Sequence, residues 1–125
     1  MSNPKRSKSA LNRRAQGRVA EDRAVAFLEA RGCTIVLRNF ARRGGELDIV
    51  ARRGDVLLVV EVRQRSREDF GGGAASVDRR KQQRIIRTAA LLLQRYPALA
   101  ALRVRFDVIV LRDGAIDWIE HAFAA

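Results

Sequence analysis

Apolar residues recur at steps of three and four from about Ala10 to Ala30, through Leu11, Val19, Ala20, Ala24, Phe27 and Leu28. That spacing predicts an amphipathic helix, and Gly32 is placed to end it as a C-terminal cap. The pattern then changes period. CTIVLRNF is rich in β-branched residues and predicts a first strand, ARRGG breaks it, and ELDIVARR predicts a second. RGD is a turn before VLLVVEVRQR, the third strand. SREDFGGGAAS follows as a loop, and a second helix is expected from about Val77 to Arg95, ending before Pro97 because the residue ahead of a proline resists the helical region. LRVRFDVIVL, the turn RDG and AIDWIEHAF complete the chain as two further strands. The order α-β-β-β-α-β-β predicts an α/β domain with a mixed sheet flanked by helices. No internal repeat is visible. Residues 1–9 read as a flexible basic tail and residues 10–125 as one domain.

Two of the apolar runs contain carboxylates. Asp48 lies inside ELDIVA, and Glu61 lies deep in VLLVVEV with Arg63 two positions on. A lone buried carboxylate is costly unless a cation, a metal or several donors receive it. Alternation along a strand places Glu46 and Asp48 on one face of the second strand, and Glu61 and Arg63 on one face of the third. If Arg53 and Gly54 are the central turn residues, Asp48 lies diagonal to Glu61. If Gly54 and Asp55 are central, Asp48 lies directly opposite Glu61. A three-residue loop would instead separate the two.

Carboxylates gathered in this way repel one another and raise each other's pKa unless a cation joins them. Magnesium prefers oxygen ligands and commonly takes one or two protein carboxylates with water completing its shell. A cation so held polarises phosphate and activates water, as phosphodiester hydrolysis requires. The same residues also fit a plain structural role, with Glu61 paired to Arg63, Arg103 or Arg105 and Asp48 to a nearby arginine.

Charge shifts the balance towards function. The 125 residues carry a formal net charge of +11 with a pI near 11.5, while 47% hydrophobic content still supports a folded core. A charge of that size draws a protein to polyanions, with nucleic acid first and an anionic surface second. Of 25 basic residues only Lys5, Lys8 and Lys81 are lysines, and the other 22 are arginines. Five cations in nine residues, Arg79, Arg80, Lys81, Arg84 and Arg87, open the second helix with no acid among them after Asp78. Spacings of three and four bring Arg80, Arg84 and Arg87 to one face, which predicts a phosphate-binding surface. The seven aromatics are not interleaved with these cations, so backbone contact with DNA is expected over base stacking.

Other chemistries find no residues. Cys33 and His121 are the only cysteine and histidine, so no disulfide framework and no Cys/His zinc site can form within one chain. The glycines at 71–73 are not followed by the G-K-[ST] of a phosphate-binding P-loop. No apolar run approaches membrane-spanning length and no signal peptide is visible, so the expected location is cytoplasmic, away from the membrane.

Four stretches carry a resemblance. GRVAEDRAVAFLEARG, RRGGELDIVARRGDVLLVVEVRQR, FGGGAASVDRRKQQRIIRTAALLL and RFDVIVL, spanning residues 17–111, resemble the YraN-like family of bacterial proteins. That family looks like a member of the PD-(D/E)xK nuclease superfamily and is similar to archaeal Holliday junction resolvases. The resemblance implies a restriction-endonuclease-like α-β-β-β-α-β core and an Mg2+- or Mn2+-dependent DNA endonuclease acting on duplex or branched DNA. RNA is the alternative nucleic acid, and a homodimer is the assembly that the likeness to resolvases would allow. Asp48 matches the metal-binding aspartate and Glu61 the second metal ligand, the acid of an E-x-K motif. Glu21 matches a glutamate that approaches the same site from the first helix, and Glu46 is a further polar candidate there. Arg65 matches a basic residue that would contact phosphate, and Lys81 matches a lysine of the family. Arg63 is the departure, since it stands where the motif has lysine. Arginine keeps the charge but cannot carry a proton near neutral pH, and its planar fork presents donors differently from an ammonium. The alternative expectation is therefore a nucleic-acid-binding protein on a nuclease scaffold with little or no activity.

Overall fold

The structure, a computed structural model, describes residues 4–65 and 77–125, with side chains described from residue 15 onward. Helix α1 (Pro4–Glu29) precedes strands β1 (Thr34–Arg42), β2 (Gly45–Arg53) and β3 (Val56–Arg65). Helix α2 (Arg79–Arg95) and a 3-10 turn (Pro97–Ala101) lead into β4 (Arg103–Arg112) and β5 (Ala115–Phe123). This is the expected order, and it is the arrangement of a restriction-endonuclease-like core. α1 begins six residues before the expected start at Ala10. The periodicity could not register those turns because residues 4–9 contain no large apolar side chain, and a proline is tolerated at the head of a helix. The SREDFGGGAAS loop, including its glycine run, lies outside the described residues, as do the first three residues of the expected tail.

The five strands form one sheet in sequence order, β1-β2-β3-β4-β5. Every neighbouring pair is antiparallel except β3 and β4, which run parallel from Val56↔Arg103 to Arg65↔Arg112. A parallel pair needs a crossover, and α2 lies within it. The central strands are apolar on both faces because each face is covered. Leu57, Val59, Val108 and Val110 pack with Ile85, Ala89 and Leu92 of α2. Leu58, Val60, Ile109 and Leu111 pack with Ala20, Ala24 and Leu28 of α1.

The hairpin register is now fixed. Arg53 pairs with Val56 and Ile49 with Val60, so Gly54 and Asp55 are the central turn residues and neither the alternative register nor a three-residue loop is adopted. Gly54 has φ +62, a conformation that glycine reaches at little cost.

At the outer side of the sheet, β5 is tied to β4 by one buried carboxylate. Asp107 accepts from Arg105 Nε and Nη2, from Trp118 Nε1 and from the His121 backbone N–H, each at 2.9 Å. The strand pairing shifts between Phe106 and Val108, and His121 has φ +52 within that irregularity. The carboxylate thus satisfies a backbone donor that the interrupted ladder releases.

Candidate functional site

Continued past Ile49↔Val60, the β2–β3 register would set Asp48 opposite Glu61, but the pairing ends there. Asp48 Oδ2 instead accepts the N–H of Val62 at 2.9 Å. The side chain thereby supplies the acceptor that the neighbouring strand would otherwise offer. β2 stays paired to β1 as far as Gly45, so it leaves β3 without leaving the sheet. The pleat of β2 also breaks here. Leu47 and Val50, three positions apart, pack in the same cluster, and across on β1 Asn39 takes φ +54. Asp48 and Glu61 therefore meet where the sheet opens.

That opening is a cleft of about 220 Å³ lined by Gly45, Glu46, Asp48, Glu61, Lys81, Arg84 and Ile85. Gly45 brings α2 close, because a methyl group on it would run into the Thr88 side chain and crowd the Arg84 carbonyl oxygen. Thr88 Oγ1 is itself held by donating to that carbonyl at 2.8 Å. Glu61 is buried and Asp48 half-buried, while Glu46 is exposed.

Lys81 Nζ lies 2.7 Å from Glu61 Oε1. Asp78 caps α2 and accepts the Lys81 backbone N–H at 2.8 Å, which fixes the first turn. Lys81 continues the inward stripe of Ile85, Ala89 and Leu92 by one turn. The charge run led sequence reasoning to group Lys81 with the phosphate-binding surface. The signal that places it in the cleft is the apolar stripe, followed backwards by four residues. Arg80, Arg84 and Arg87 are exposed on α2, and Arg84 reaches the cleft wall. Arg63 and Arg65 are half-buried on β3, beside Val110 and Arg112 of β4.

Glu21 approaches from α1, in the opposite layer from α2. Arg38 Nη2 lies 2.8 Å from Asp22 Oδ1 and 3.7 Å from Glu21 Oε1. Burial pushes the Glu21 carboxyl up from its ordinary range, with the Arg38 charge acting against it and Glu46 adding to it. Asp48 is pushed up to about 8, first by burial and next by the negative charge of Glu61, while the Val62 N–H works in the other direction. Glu21 adds a smaller repulsion to Asp48.

This donor set suits a hard divalent cation. It offers carboxylate oxygens only, and the repulsion that raises Asp48 is what a cation shared with Glu61 would relieve. Among the described residues no group of three or more His, Cys, Asp or Glu side chains converges to hold a metal. Asp48 and Glu61 are the residues that could hold such an ion, with water completing its shell. Zinc, which favours Cys and His, does not fit. Among the described residues, no helix is long and apolar enough to cross a membrane.

Residues 20–111 match the profile of Uncharacterised protein family UPF0102. A UPF0102 protein of Dechloromonas aromatica (strain RCB) is 47% identical over 111 residues, covering 89% of this chain and 90% of that one. The UPF0102 protein of Halorhodospira halophila is 44% identical over 110 residues, with 88% of each chain covered. That of Xanthomonas oryzae pv. oryzae (strain PXO99A) is 47% identical over 115 residues, with 90% and 94% covered. With most of its length matched to the profile and near-complete overlap with these relatives, the chain belongs to the UPF0102, or YraN-like, family.

Proposed function

We propose that this protein is a divalent-metal-dependent endonuclease acting on the phosphodiester backbone of DNA. The observation that carries this reading is the Asp48–Glu61 pair, two compressed carboxylates in a cleft whose wall continues into exposed arginines. Asp48 and Glu61 would hold Mg2+ or Mn2+, which when bound supplies a Lewis acid for phosphate and a more acidic water. Asp48 is oriented by the Val62 N–H, and Glu61 is held by its strand and by Lys81. Arg80, Arg84 and Arg87 would carry the DNA backbone along α2, with Arg65 a further phosphate contact. An Asp48 carboxyl pushed so far above its ordinary range is costly for stability, and such groups concentrate where chemistry is done.

One observation favours a second reading. Arg63 stands where the E-x-K pattern has lysine, which favours DNA binding without hydrolysis. Incubating the protein with linear, flapped and four-way DNA, with and without Mg2+ or Mn2+, separates the two. Metal-dependent cleavage lost in Asp48→Ala and Glu61→Ala supports the enzyme, whereas binding without cleavage leaves only the second reading. A branched substrate and a dimer are expected together if the resolvase likeness extends to assembly.

A further inference from the structure

We propose that Lys81, delivered from α2, is the ammonium that contacts the reacting phosphate, in the place that the strand pattern would give to residue 63. The proposal deepens the endonuclease reading and rests on it. Lys81 Nζ is in contact with Glu61 Oε1, at 2.7 Å. Its side chain is 31% exposed whereas that of Glu61 is 7% exposed, so the ammonium lies at the boundary between the buried acid and the open cleft. An ammonium has three donors. One directed to Glu61 Oε1 leaves two for a phosphate oxygen and a water. Arg84 shares the cleft and adds a second positive charge on the same side.

The backbone beneath Lys81 is fixed, since its own N–H is bound by the capping Asp78. Preorganised donors of this kind act most strongly where charge develops during reaction. The choice of side chain has a chemical sense too. Arg79, Arg80, Arg84 and Arg87 surround a single lysine in this turn and the next. A compact point charge enters a narrow carboxylate-lined cleft, where a planar guanidinium would present its donors in a fixed fork.

Hydrolysis forms one P–O bond from water and breaks one to the departing sugar oxygen. The proton lost by the water passes to solvent, and the departing oxygen takes one from solvent. Lys81 stays protonated throughout. It donates to a non-bridging phosphate oxygen as negative charge accumulates there.

The test compares Lys81→Met with Arg95→Gln, which removes the same charge from the far end of α2, using a four-way DNA junction and Mn2+. Lys81→Met is expected to slow single-turnover cleavage about 100-fold, the scale of losing one transition-state donor, while binding Mn2+ no more weakly than the unaltered protein. Lys81→Cys treated with 2-bromoethylamine, which rebuilds an amine of nearly the same reach, is expected to recover most of the rate. Cys33 is buried and leaves position 81 as the reactive thiol. Cleavage by Lys81→Met within threefold of the unaltered protein would overturn the proposal, as would a folded, aminoethylated Lys81→Cys protein that recovers nothing. If the unaltered protein cleaves no DNA with any metal, the endonuclease reading fails by itself. The Lys81 contact is then judged by its ε-methylene NMR signal, one of three lysine signals in the chain. A shift on adding duplex DNA in Ca2+ supports the contact, and an unmoved signal overturns it.

Discussion

The Asp48 carboxylate and the Val62 backbone N–H are joined at 2.9 Å across two strands that no longer pair. The bond gives Val62 the acceptor that β2 no longer offers, and it only partly offsets the cost of placing a second acid beside Glu61.

A pH dependence follows. The Asp48 pKa of about 8 lies above its ordinary 3.8, so the folded state holds a proton that the unfolded state loses earlier. The Asp48 contribution to stability is fully present below about pH 4, declines as pH rises between the two values, and levels off above about 8. With a chelator present, Asp48→Asn keeps an acceptor for Val62 without the charge. It is expected to raise stability at pH 8 by about 1 kcal/mol or more, a rise of roughly 4 °C in melting temperature, with little gain at pH 4. Thermal melts across that range measure it, and added Mg2+ should narrow the difference by stabilising the unaltered protein.

Gly45 is predicted to be intolerant of a side chain although it lies at a strand end. Gly45→Ala sets a methyl against Thr88 and the Arg84 carbonyl, and overpacking of this kind costs about 1–3 kcal/mol. Trimming the obstacle with Thr88→Ala should return part of that loss. A double-mutant cycle in urea reads the coupling, and additive effects would count against the contact.

Asp107 serves four donors from a fully buried position. Asp107→Ala should cost about 3 kcal/mol, because it leaves the partly buried Arg105 and the Trp118 and His121 N–H donors without their acceptor. The Trp118 emission should shift to the red as its indole N–H finds water, and the His121 amide should exchange hydrogen faster. DNA cleavage should fall only as far as folding does.

The basic face should announce itself in salt. Single Arg80→Gln, Arg84→Gln and Arg87→Gln substitutions should each weaken DNA binding across unrelated sequences. Each should flatten the slope of log affinity against log salt by about 0.9, one released counterion per phosphate contact. A slope unchanged by all three would remove these arginines from the interface.

The strands were legible because buried runs such as VLLVV and DVIV cannot sit anywhere but inside a sheet covered on both sides. The approach of Asp48 to Glu61 was legible only to within a choice of turn, which the pairing of Arg53 with Val56 decides. Lys81 was harder. Composition shows a cationic helix face, and the apolar stripe of α2 followed back one turn says which cation turns inward, but its approach to Glu61 depends on how α2 lies over β2, where Gly45 and Thr88 meet at long range. The role of Asp107 was equally hidden, since its partners on β5 are brought to it by an irregular pairing that no local pattern announces. The beginning of α1 escaped for the opposite reason. It has no apolar stripe to read.

The opened sheet has one more consequence. Glu21, outside the cleft lining, acts on Asp48 from one covering layer and Lys81 enters from the other, while Asp48 and Glu61 lie between them. A hairpin cut from this protein and grafted elsewhere would carry both carboxylates and neither flanking group. The portable unit is therefore the sandwich of helix, sheet and helix, and a designer seeking to transplant the cleft would have to move nearly the entire molecule.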